Sequence, residues 1–102
     1  MSTLTVTREN IQSEVIDSTQ TVLLDFWAPW CGPCRMLSPT MDQIAAERPD
    51  IKVMKVNIDR EPELAQSFGI MSIPTLVVVK GGREAKRAVG VLPKAEILAM
   101  IR

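Results

Sequence analysis

At 102 residues the chain is about the size of one domain and long enough to bury a core without metals or cross-links. Its 12 Lys and Arg balance its 12 Asp and Glu, which removes the net charge that would draw it to a phosphate backbone or an acidic membrane. Histidine is absent, so imidazole is excluded as base, metal ligand or partner of a nucleophile, and chemistry falls to thiols and carboxylates.

The opening "MSTLTVTREN" lacks the basic, apolar and small-residue sections of a secretory leader, and no apolar run approaches the ~18 residues of a membrane span. A cytosolic setting is therefore expected, and there two cysteines pair only transiently. No repeat, low-complexity tract or linker interrupts the chain, so residues 1–102 read as a single domain.

In chain order, "LTVT" (4–7) reads as a short edge strand. "RENIQSEVIDS" (8–18), with Thr7 as cap and Ile11, Val15 and Ile16 at helical spacing, reads as a helix. "TVLLDFWA" (21–28) is apolar on both alternating faces, as in a strand covered on each side, which makes Asp25 anomalous. The next helix carries Cys34, Leu37, Met41, Ile44 and Ala45 on one face to about Glu47, and Pro39 inside it is expected to kink it.

"IKVMKVNID" (51–59) reads as a buried strand and "REPELAQSFG" (60–69) as a short helix, with Pro62 early and Gly69 as its stop. "TLVVVK" (75–80) and "REAKRAV" (83–89) flank Gly81 and Gly82, the signal of an antiparallel hairpin. "LPKAEILAMIR" closes with a helix opened by Pro93 and carrying Ile97, Leu98 and Ile101 on one side. The order βαβαβαββα predicts an α/β fold: a central mixed sheet, helices on both faces, the hairpin at one edge and the site in loops after the parallel strands.

Both cysteines lie in "WAPWCGPCRM" (27–36), on what reads as an exposed turn. With Cys31 in the first turn of the helix, Cys34 lies three residues on, where side chains are neighbours and disulfide geometry is within reach. A thiolate at Cys31 faces the positive end of the helix, which favours the anion, so Cys31 is the better attacking sulfur. Cys34, on the core face, suits the resolving step, and Pro33 fits a first turn that needs no N–H from it. Two plainer readings stand beside the redox one. A structural disulfide closes too short a loop to restrict the unfolded chain much, and a zinc site lacks about two of its usual four ligands unless two chains share it.

Asp25 reads from the residues either as a buried carboxylate with a raised pKa, able to exchange protons with Cys34, or as a solvent-facing acid on an edge strand. Lys55 reads as a lysine whose head reaches water. Pro74 in "SIPT" reads as trans from base rates. Trp27 and Trp30 read as packing residues, Trp27 more so, and the basic run "KGGREAKR" as protection of an edge strand.

"DFWAPWCGPCRM", "NID", "FGIMSIPTLVVVKGG" and "VGVLPK", in that order along nearly the whole chain, resemble the thioredoxin family. The resemblance implies the thioredoxin fold and a protein-disulfide reductase. It also implies a buried Asp25 tuned by Lys55, a cis Pro74 that faces the cysteines and crowds out metal, and a docking surface of Trp30, Gly32, Pro33, Ile73, Val89, Gly90 and Val91. The partners it implies are disulfide-bearing target proteins and a flavoprotein thioredoxin reductase supplied by NADPH, with no cofactor bound here. No G-x-G-x-x-G fingerprint points to a nucleotide of the chain's own. Arg35 stands where many family members carry lysine, a difference that bears on partner preference. Two rivals remain: a scaffold module in which the thiols are incidental, and an oxidant or isomerase. A monomer is the default.

Overall fold

The computed structural model describes residues 3–102; Met1 and Ser2 of the expected 1–102 domain lie outside the described residues. Strand β2 (Val22–Trp27) is the third of five strands, in the order β1 (Leu4–Thr5), β3 (Lys52–Asn57), β2, β4 (Thr75–Lys80), β5 (Arg83–Val89). The β1–β3 and β3–β2 pairs are parallel, whereas β2–β4 and β4–β5 are antiparallel, so the sheet is mixed and the hairpin forms its edge, as expected. A central position explains why β2 is apolar on both faces: each face is covered.

On one face Leu23, Val53, Leu76 and Val78 pack against Leu37, Met41 and Ile44 of helix α1 (Gly32–Glu47) and Ile97 of α3 (Lys94–Met100). On the other, Val22, Leu24, Phe26, Met54, Val56, Val77 and Val79 pack against Val15 and against Leu64 of α2 (Pro62–Ser67). Phe26 meets Phe68 with ring centroids 5.2 Å apart.

The first helical segment departs from expectation. Thr7 closes only a turn ahead of the helix, its Oγ1 accepting the Asn10 N–H at 3.3 Å; the capping position is Ile11, which offers no side-chain bond, and the chain forms a π-helical turn over Gln12–Ile16 rather than a regular helix. The wider turn follows i→i+5 bonding, as in Asp17 N–H to Gln12 O at 2.9 Å. It brings Ile11 and Ile16, five residues apart, onto the same core as Val15.

Helix α1 runs through Pro39 without a break to Glu47. Helix α2 ends at Gly69, whose φ of 66° permits the two closing bonds, Gly69 N–H to Gln66 O and Ile70 N–H to Ala65 O, both 2.9 Å. Gly81 and Gly82, at φ 58° and 77°, make the hairpin turn. A Cβ at Gly82 would come within 2.8 Å of the Ile16 carbonyl oxygen, so the turn also needs glycine to approach the π-helical turn.

Candidate active site

Cys31 is the residue at the head of α1: its backbone is extended, and its Sγ accepts the Cys34 N–H at 3.1 Å. Pro33, the second helical residue, has no N–H to offer, so it is the donor of the third, Cys34, that turns on the sulfur. The two cysteines form a disulfide with Cα atoms 5.3 Å apart. The turn is less open than the sequence suggested. Cys31 is 5% and Cys34 3% exposed, while Trp30 at 66%, Pro33 and Met36 carry its outer surface. Apolar packing by Ala28, Trp27, Ile58 and Ile73 shelters the sulfurs.

Strand register and burial settle the two readings of Asp25. It sits on central β2, opposite Lys55 on β3 and Leu76 on β4, and is fully buried with neither carboxylate oxygen hydrogen-bonded. Burial disfavours its charged form and raises its pKa from 3.8 to about 6, an effect only partly opposed by the nearby Lys55 charge. Lys55 Nζ donates to Ser38 Oγ at 3.1 Å and lies 4.8 Å from the Trp27 ring centroid, so the ammonium is held on the face that contains the carboxyl.

Trp30 is exposed yet fixed, its Nε1–H donating to Asp59 Oδ2 at 2.9 Å. Asp59 is oriented in turn by its own N–H, which donates to Asn57 Oδ1 at 2.9 Å. Arg35 reaches back from α1, its Nη1 donating to the Pro29 carbonyl at 2.8 Å. Across the site the Ile73–Pro74 bond is cis, and the Ile73 carbonyl oxygen lies 4.0 Å from Cys31 Sγ. Gly90 N–H donates to Pro74 O at 2.9 Å, which sets Val89, Gly90 and Val91 beside that loop with both valines exposed. The structure therefore places Trp30, Gly32 and Pro33 on the cysteine turn and Ile73 against Cys31, with Pro74 joined to Gly90 and flanked by the exposed Val89 and Val91.

Cavities of about 230 and 270 Å³ lie beside Leu4 at the β1 edge, and neither is lined by the cysteines. Among the described residues no group of three or more His, Cys, Asp or Glu side chains is placed to hold a metal ion. No helix among them is long and apolar enough to cross a membrane.

A family model for thioredoxin matches residues 2–102. The chain belongs to the thioredoxin family. Thioredoxin 1 of Nostoc sp. is 50% identical over 93 residues, covering 90% of this chain and 87% of that protein. Thioredoxin of Pyropia yezoensis is 46% identical over 102 residues, 99% of this chain and 95% of that protein. Thioredoxin M-type, chloroplastic, of Chlamydomonas reinhardtii is 44% identical over 97 residues, 94% of this chain and 69% of that protein. With its disulfide-forming pair, the chain is a thiol-disulfide oxidoreductase, a protein-disulfide reductase.

Three contacts escaped the sequence reading. Ser38 reads as an ordinary polar helix position, and only the fold brings Lys55 to it. Asp59 is 29 residues from Trp30 and was visible only as part of "NID". Arg35 stands out in the sequence only as a departure from the lysine of many family members, and no local signal tells that its guanidinium clasps Pro29.

Proposed function

We propose that this protein is a cytoplasmic reductant of protein disulfides, recharged by a flavoprotein thioredoxin reductase that draws electrons from NADPH. Residues 1–102 act as one domain and one monomer. The Cys31 thiolate attacks one sulfur of a target disulfide; that bond breaks, a mixed disulfide forms, and the released target thiolate takes a proton from water. Cys34 gives its proton to Asp25, directly or through a water, and attacks Cys31 Sγ. The second target sulfur leaves, and the target has gained two electrons while Cys31 and Cys34 have closed their own bond. Lys55 tunes the proton affinity of Asp25.

The observation that carries this reading is the bond from Cys34 N–H to Cys31 Sγ at the head of α1. A helix start favours an anion there, while the resolving sulfur waits one turn deeper. The surface of Trp30, Gly32, Pro33, Ile73, Pro74, Val89, Gly90 and Val91, with Trp30, Val89 and Val91 exposed, suits an extended protein segment, which pairs with the Ile73 backbone as an added strand.

The test is NADPH-coupled reduction of insulin disulfides with a thioredoxin reductase, comparing wild type with Cys34→Ser. Wild type is expected to turn over repeatedly and the variant to stop at a trapped mixed disulfide. Absence of turnover with both the reductase and a chemical reductant would overturn the reading in favour of a redox-independent scaffold.

A further inference from the structure

Asp25 and Lys55 face each other across the β2–β3 register, yet no hydrogen bond joins them. A lysine side chain is long enough to reach a carboxylate beside it on the next strand. Here Nζ donates instead to Ser38 Oγ at 3.1 Å and rests near the Trp27 ring. Ser38 lies on α1 four residues after Cys34, so the two share one side of the helix. The helix that carries the resolving thiol also carries the group that holds the ammonium.

We propose that Ser38 is a positioning residue of the dithiol site: its hydroxyl holds the Lys55 ammonium off the Asp25 carboxyl, which stays basic enough to take the Cys34 proton. The proposal rests on Asp25 being the base of the second step. Few charges compete in this space. Strand β3 contributes Lys55 and α1 contributes Cys34, while β4 sets Leu76 opposite Asp25, and Ile97 of α3 and Ile101 just past its end pack on this face. Without the hydroxyl, the Asp25 carboxyl becomes the acceptor beside Lys55. A direct ion pair stabilises the charged carboxylate and weakens it as a base.

The experiment is a carbon-13 NMR titration of the Asp25 carboxyl in the oxidised protein, where the cysteines do not titrate. In Ser38→Ala the midpoint is expected to fall by about one pH unit, the lower end of what a close opposite charge does. Ser38→Thr, which keeps the hydroxyl, is expected to restore the wild-type midpoint. In a Lys55→Met background, Ser38→Ala is expected to change nothing further. An unchanged or raised midpoint in Ser38→Ala, a fall in Ser38→Thr equal to that in Ser38→Ala, or an equal fall without Lys55 would each overturn the proposal. The titration needs no turnover, so its failure is separate from that of the assigned base. That assignment stands or falls on whether Asp25→Asn slows release of a preformed mixed disulfide.

Discussion

On one side of β2, Val22, Leu24 and Phe26 join an apolar cluster with side chains from β3, β4, α2 and the π-helical turn. On the other, Leu23 begins an apolar layer against α1 and α3, and two residues later the same side presents Asp25. All five residues are fully buried. Their environments differ in what they ask of the chain. The first side only gains from exclusion of water, whereas the second holds a carboxyl whose ionisation opposes folding, placed where the cysteine helix crosses the sheet. Equal burial can thus serve cohesion or reactivity, depending on what stands opposite.

The largest expected effect breaks the apolar side. Phe26→Ala is expected to lose about 4 kcal/mol through lost transfer and a cavity, by the same amount at about pH 8 and about pH 4 in urea unfolding. A loss that varied with pH would erase the contrast between the two sides. The next sharpens the polar side. Because the folded chain holds the Asp25 proton more tightly than the unfolded chain, the stability it contributes is present below about pH 4 and lost as pH rises through about 6. Asp25→Asn is therefore expected to gain up to about 3 kcal/mol at about pH 8 and to lose that advantage near pH 4. Destabilisation at the higher pH would contradict the assigned burial cost.

A smaller effect lies at the rim of the apolar side, where the hairpin turn touches Ile16. Gly82→Ala combines a positive φ with a close approach to the Ile16 carbonyl and is expected to cost about 2 kcal/mol. Gly81→Ala meets open space and is expected to cost about 1 kcal/mol. Equal melting temperatures for the two variants would remove the contact from the account.

Most of the element order was legible because the apolar periods of β2, α1, β3 and β4 are long and strong enough to read through single exceptions such as Asp25 and Lys55. The π-helical turn was not, since Ile11, Val15 and Ile16 satisfy a regular helix pattern almost as well as a wider one. Asp25 stood out as a charged residue in an apolar run. Its surroundings depended on which strands flank β2, and that is a property of topology rather than of the run. Lys55 and Ser38 were harder still: a lysine in a strand and a serine in a helix are ordinary residues until two distant segments are packed together. The cysteine turn was readable in its chemistry, but the shelter over it comes from Ala28, Ile58 and Ile73, which local spacing does not reveal.

The bond from the Cys34 amide to the Cys31 sulfur makes one atom both the end of a helix and the end of a redox couple. A thiolate accepts such a bond more strongly than a disulfide sulfur does. Reduction therefore tightens the first turn of α1, and the turn in its closed form favours the electrons staying on the cysteines. Local fraying and electron donation are linked halves of a single thermodynamic cycle: a target that loosens the helix start on docking makes the protein a better reductant at that moment.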